Sequence, residues 1–107
     1  MRILIVETNL MWSVRLQKSA SALGYEAVVA PIVIEGDFDV AIVNLGEPGV
    51  DWPERVAELQ IRGIKVIGHA GHKETALHQV GEEAGCDYLA TNSELTHKLG
   101  AVLVKVS

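Results

Sequence analysis

Four side chains able to do chemistry stand directly after short apolar runs. They are Glu7 after Ile3-Leu4-Ile5-Val6, Asn44 after Asp39-Val40-Ala41-Ile42-Val43, His69 after Lys65-Val66-Ile67-Gly68, and Thr91 after Tyr88-Leu89-Ala90. A carboxylate, an amide, an imidazole and a hydroxyl converging at one end of a sheet would form a crevice able to bind a small ligand or move a proton. The spacing takes that chemistry no further: there is no G-x-G-x-x-G, no phosphate-binding loop and no nucleophile–base pair in order. His69, His72 and His78 lie close together with Cys86 nearby, which raises a metal site. Against it, His72 and His78 are six residues apart and so on different helical faces, and neither C-x-x-C nor H-x-x-x-H occurs. No metal is expected. His97 reads as a surface residue. Cys86 is the single cysteine and has no partner for an intramolecular disulfide.

The elements that must position these residues are legible from pattern. Ile3 to Val6 is a β-branched run without alternation, as in a strand buried on both faces. Thr8 or Asn9 then caps a helix on which Trp12, Leu16, Ala20 and Leu23 share one face, with Gly24 stopping it. Tyr25 to Ala30 is a second strand and Asp39 to Asn44 a third. Asp51-Trp52-Pro53-Glu54 is a D-x-x-E capping pattern that opens a helix through about Arg62, ended by Gly63. Lys65 to His69 is a fourth strand. Lys73 to Ala84 is a helix with Ala76, Leu77, Val80 and Ala84 inward, closed by Gly85. Tyr88 to Ala90 is a fifth strand. Ser93 to Val104 is the last helix, capped by Ser93 or Asn92, with Leu95, Leu99, Val102 and Leu103 inward.

Strands alternating with helices imply an α/β fold with a parallel sheet covered on both faces. One connection is irregular. Only Pro31 to Phe38 separates the second strand from the third, whereas a parallel crossover usually needs a dozen or more residues and a helix. That helix is expected to be missing or about one turn long. The run Val28, Val29, Ile32, Val33, Ile34 then combines an edge strand with an apolar face lacking its cover, which invites pairing or docking. A homodimer or partner interface is the reading drawn here. The alternative is that Pro31 to Ile34 folds back over the sheet.

Residues 1–107 fit a single domain. Apolar residues are 49% and charged residues 21%, a globular rather than disordered composition. A formal charge of −5 disfavours non-specific binding to nucleic acid or anionic membrane. No secretory leader and no membrane-spanning run is read, so a reduced, cytoplasmic protein is expected.

Several segments, in order, are similar to one family. Glu7-Thr8 after the first strand looks like an acidic pair. Ala22-Leu23-Gly24-Tyr25 looks like a helix-to-strand step. Asn44-Leu45-Gly46-Glu47-Pro48-Gly49-Val50-Asp51 is similar to D-L-x-x-P-G-x-D, and Ala84-Gly85-Cys86-Asp87-Tyr88-Leu89 to A-G-A-x-D/G-Y-L. The spacing from Ala70 to Gly85 also fits. With these matches the chain resembles the receiver domain of bacterial two-component response regulators. The resemblance implies a flavodoxin-like, doubly wound five-stranded parallel sheet of order 2-1-3-4-5, with its site at the strand carboxyl ends.

The resemblance also implies where a phosphorylation site would lie: at Glu7, Thr8, Asn44, Ala70 and Thr91. Phosphoryl transfer there needs an ionised carboxylate nucleophile, carboxylates for Mg²⁺, a hydroxyl and a cation. Only Glu7 keeps a charge. Asn44 is a neutral amide, Thr8 replaces a carboxylate, Ala70 has no hydroxyl, Thr91 replaces the lysine and Asn92 the proline after it. A neutral Asn-Thr-Thr set satisfying itself by hydrogen bonds is expected, with no Mg²⁺, phosphate or other cofactor. Tyr88 matches a switch aromatic, but Ala70 removes its link to phosphate, so a fixed contact or plain packing is expected. Trp52 is either a lid that packs locally or an aromatic anchor for a partner. Trp12 reads as core.

The function implied is a phosphorylation-independent interaction module in bacterial signalling or regulation, binding a protein partner or a second copy. By family resemblance its surface would include the fifth strand and last two helices, with His78, Tyr88 and Lys98 as possible contacts. The alternative is a ligand-binding or enzymatic domain using the crevice of Glu7, Asn44, His69 and Thr91. A receiver phosphorylated by an unusual route is the weakest reading.

Overall fold

The computed structural model describes residues 1–107. Nine elements follow in chain order: β1 (Arg2–Val6), α1 (Leu10–Ala22), β2 (Glu26–Ala30), β3 (Val40–Asn44), α2 (Trp52–Ile61), β4 (Lys65–Ala70), α3 (Thr75–Ala84), β5 (Tyr88–Thr91) and α4 (Asn92–Val106). The strands form one parallel sheet of order β2-β1-β3-β4-β5. This is the flavodoxin-like, doubly wound order. β1, β3 and β4 lie inside the sheet, which is why their apolar residues run without alternation.

Strand parity sorts the core into two layers. Ile3, Ile5, Val40, Ile42 and Ile67 face α1 and α4, where Leu16, Ala20, Leu95, Leu99, Val102 and Leu103 meet them. Leu4, Val6, Ala41, Val43 and Val66 face the other way, toward Val56 and Leu59 of α2 and Leu77 of α3. No helix is long and apolar enough to cross a membrane.

Caps set the helix starts. The Asn9 side chain accepts from the N–H groups of Met11 and Trp12, and Asp51 accepts from that of Glu54. The last helix departs from expectation: neither Ser93 nor Asn92 is its cap. Thr91 is, with its hydroxyl accepting from Glu94 N at 3.0 Å, and the helix runs on to Val106. α3 starts at Thr75 rather than Lys73, and its Ala76 and Val80 are exposed. The contact residue of α3 is Gly81, where a Cβ would collide with Leu89 and lie 2.7 Å from Leu45 Cδ1. That close approach turns the helix slightly from the face its apolar residues suggest. On α1, Ser13 is buried, Trp12 only partly so and Leu23 exposed. Ser13 is tolerated inside because its hydroxyl donates to Leu10 O.

The crossover from β2 to β3 contains no helix. Its path is fixed by two arginines. Arg62 Nη2 donates to Ile34 O at 2.9 Å and Gly36 O at 2.8 Å. Arg2 Nη1 donates to Asp37 O at 2.9 Å, and its guanidinium lies 4.6 Å from the centre of the Phe38 ring. Phe38 is buried, while Val33, Ile34 and Val28 pack partly against the same core layer. Val29 packs partly against the opposite layer. Residues 31–39 thus do part of the covering work of a helix, and Ile32 is left exposed.

Because one side chain bridges both carbonyls, Arg62→Ala is expected to cost about 1–2 kcal/mol, concentrated in this segment. Amide hydrogen exchange should speed up across residues 31–38 while β1, β3 and β4 stay protected. Uniformly faster exchange would contradict the local clasp.

Candidate functional site

Glu7, Asn44 and His69 end three adjacent strands with the same parity, so their side chains emerge on the α1/α4 face at the carboxyl end of the sheet. Glu7 and His69 are buried. The Glu7 carboxylate accepts from Asn44 Nδ2 at 3.2 Å and 3.1 Å, from Thr8 N at 3.1 Å and from Asn9 N at 3.2 Å. The turn that leads into α1 therefore points two backbone N–H groups at it, hydrogen bonds that favour the ionised carboxylate. Asn44 Oδ1 turns away and accepts from Gly46 N at 2.9 Å, which shapes the loop after β3.

His69 completes the cluster. Its Nδ1 lies 2.8 Å from Asn92 Oδ1. An amide oxygen only accepts, so Nδ1 is the donor. Nε2 lies 3.5 Å from Glu7 Oε1, beyond a good hydrogen bond, and has no other partner. That contact is an ion pair only when the ring carries both protons. The Trp12 ring tilts against the imidazole at 5.8 Å between centroids.

Burial alone would raise the Glu7 pKa. The contacts with His69, Asn44 and Asn9 N–H outweigh it and hold the carboxyl below its ordinary 4.5. A carboxylate so surrounded is anionic and already engaged, which suits it to structure rather than to proton transfer.

The other expected site residues do not join this cluster. The Thr8 hydroxyl donates to Glu47 Oε2 at 2.8 Å, away from Glu7. Thr91 is paired with Ala70 in the sheet, but its hydroxyl caps α4. Ala70 is buried. The expected neutral Asn-Thr-Thr set is therefore replaced by a Glu7–Asn44–His69–Asn92 chain. Sequence reasoning placed His69 near the pocket but missed its partner Asn92 and the packing of Trp12. Parity of β4 was the available signal for His69, and nothing in spacing announced Asn92.

Trp52 is buried, and its Nε1 donates to Leu45 O at 3.3 Å, so it packs locally and is not a free anchor. The Tyr88 hydroxyl donates to Glu94 Oε2 at 2.6 Å and lies 3.3 Å from Lys105 Nζ, whose ammonium also sits over the ring. Tyr88 is thus tied to α4. Cys86 packs against Gly68, and burial, with Asp87 beside it, pushes its thiol up to about 11. A thiol of that kind is a poor nucleophile. No three His, Cys, Asp or Glu side chains are grouped to hold a metal ion. Mg²⁺ wants hard oxygen ligands that are free to coordinate. Glu7 and Glu47 are both engaged by internal donors, so the residues present do not fit it.

No family model matches the sequence, and no curated relative matches it. The fold is shared with solved receiver domains. The receiver domain of a sensor histidine kinase from Pseudomonas aeruginosa PAO1 superposes with TM-score 0.82 at 16% identity, covering 98% of this chain and 95% of that one. That structure has a magnesium ion coordinated in its active-site cleft. An orphan response regulator of H. pylori gives TM-score 0.77 at 16% identity, covering 100% and 97%. The receiver domain of the TMAO respiratory system response regulator TorR gives 0.77 at 22% identity, covering 99% and 98%.

A lowered folded pKa means that stability contributed by ionised Glu7 is complete above its unfolded value and is lost as pH falls through the folded one. Glu7→Gln should therefore be less stable than the parent at neutral pH, with the gap closing below about pH 4.5. Denaturant midpoints measured from pH 7 to pH 3 test this. A gap independent of pH would mean that the charge contributes nothing.

Proposed function

We propose that the domain is a phosphorylation-independent protein-interaction module in bacterial signalling or regulation. The observation that carries this reading is the engagement of the Glu7 carboxylate by Asn44 and two backbone N–H groups. A receiver site must hold Mg²⁺ and accept phosphate beside it. Here the position of the nucleophile is an amide that donates to the remaining carboxylate. Ala70 and Thr91 supply neither a hydroxyl aimed at phosphate nor a cation. Function then moves to the surface. The edge strand β2 and the helix-free crossover, with Val28, Val29, Ile32, Val33 and Ile34, form one candidate contact region for a partner or a second copy. Ile32 is its most exposed residue.

The alternative, a small-ligand binder, has one observation in its favour. A cleft of about 70 Å³ lies beside Glu7, between Val6, Pro31, Val33, Val50 and Trp52. It is mostly apolar and smaller than the usual range for ligand sites, about 300–1,000 Å³.

Two measurements test the reading. With Mg²⁺ and beryllofluoride, amide NMR signals of Asn44, Ala70 and Thr91 are expected not to move, and saturable shifts there would restore the phosphorylation reading. Shifts with a metabolite mixture instead would favour the ligand-binding one. Independently, Asn44→Asp places a second carboxylate against Glu7. It is expected to cost about 2–3 kcal/mol at neutral pH without creating a site. Recovery of that stability on adding millimolar Mg²⁺ would count against the proposal.

A further inference from the structure

We infer that the cleft beside Glu7 receives one aliphatic side chain of a partner protein, from a segment that carries a lysine or arginine next to that side chain. The inference deepens the interaction-module reading and rests on it. The cleft follows from the short crossover. Residues 31–39 cover the sheet without a helix. They leave a hollow of about 70 Å³, lined by Val33 of the crossover, Val6 at the end of β1, and Val50 and Trp52 where α2 begins.

Size and lining select the anchor. An engineered apolar cavity of about 150 Å³ stays dry when empty and takes up a benzene molecule. The cleft here is about half as large, with apolar walls, so it suits one leucine, isoleucine or valine side chain. Its walls are fixed before anything binds. The Trp52 indole N–H donates to Leu45 O, and Arg62 holds the crossover at Ile34 O and Gly36 O. A hollow already formed costs little ordering when it is filled. Ile32, exposed by 67%, also borders the cleft and adds apolar contact around the anchor.

Charge selects what flanks the anchor. Glu47 lines the cleft, and no cation of the chain pairs with it. Its Oε2 accepts from the Thr8 hydroxyl, which leaves Oε1 free. Arg55 is the cation at the cleft, but it is bonded to Glu54 at 2.9 Å and to Glu58 at 2.8 Å, so that group carries a net −1. A lysine or arginine beside the aliphatic anchor therefore meets an acidic mouth, and a glutamate in its place is repelled. The same charge works against a second copy as the occupant. In a twofold dimer with Ile32 exchanged between clefts, the two acidic mouths would lie together. The total of −5 adds to that repulsion.

The test uses protein labelled with ¹⁵N and at the methyl groups, and a short capped peptide, Gly-Ser-Lys-Leu-Lys-Ser-Gly. Saturable shifts are expected at the Trp52 indole N–H, the Val33 and Val50 methyls and the Glu47 amide, while β5 and α4 stay put. Alanine in place of the peptide leucine should weaken binding by about tenfold or more. Glutamates in place of its lysines should abolish it. Both comparisons alter only the peptide, so they stand whatever a variant does to the fold. On the protein side, Glu47→Gln keeps an acceptor for Thr8 and should weaken binding about threefold while removing much of its salt dependence. Val50→Phe fills the cleft and should abolish binding, with an unchanged spectrum elsewhere as the check on its fold. Five outcomes would overturn the proposal. They are no saturable shift at tens of millimolar peptide, equal binding of the alanine or glutamate peptide, binding that survives Val50→Phe, concentration-dependent shifts at Ile32 and Trp52 without peptide (a second copy), and equal binding of free isobutylamine (a small-ligand site). None of these bears on phosphorylation, whose own signature is the beryllofluoride response at Asn44, so the two readings fail separately.

Discussion

The constraint on which this structure turns is the burial of one negative charge. Glu7 directly follows the interior strand β1 and is almost wholly removed from solvent. A carboxylate in that position must be surrounded by donors or give up its charge. Its donors come from the end of β3 and the first residues leading into α1, with His69 of β4 beside them. Satisfying Glu7 therefore fixes where α1 begins relative to three strands. It also accounts for the residue type at 44: an amide donates to Glu7 through Nδ2 while shaping the next loop through Oδ1. A carboxylate there could do only the second.

The same logic extends to the side chains around the cluster. Thr8 bonds to Glu47, Thr91 caps α4 and Asn92 accepts from His69. Each polar group at the mouth of the sheet has a local structural partner, and the one buried atom without a hydrogen bond, His69 Nε2, points at Glu7. A metal or phosphate would have to displace these bonds before making its own. Relative to the receiver pattern, the site differs by more than one substitution: donors face the carboxylate where ligands for a cation would be needed.

The fold was legible because a parallel sheet buried on both faces writes itself as β-branched runs spaced by helix caps and stop glycines. Asn9, Asp51 and Gly24 announced themselves in this way, and the short Pro31–Phe38 stretch announced its missing helix. Side-chain partnership was less legible. Thr91 as a cap, Gly81 as the α3 contact and Asn92 as the acceptor for His69 depend on distances between segments far apart in sequence. Composition could not say that Trp52 is buried and Leu10 and Met11 are not, since apolar residues occupy both interior and surface. The α1 periodicity placed Trp12 on the inward stripe correctly, but missed that it stops at the edge, half in the core and half in a surface cleft.

That half-buried tryptophan joins the two halves of the molecule's logic. On one side it packs against His69, whose Nε2 is the loosest contact in the buried cluster. On the other it borders the cleft formed with Met11 and Arg15, whose guanidinium lies 5.8 Å from its ring centre. Here the side chains at the strand ends bond to one another, and Trp12 is the residue shared by that buried cluster and the surface cleft.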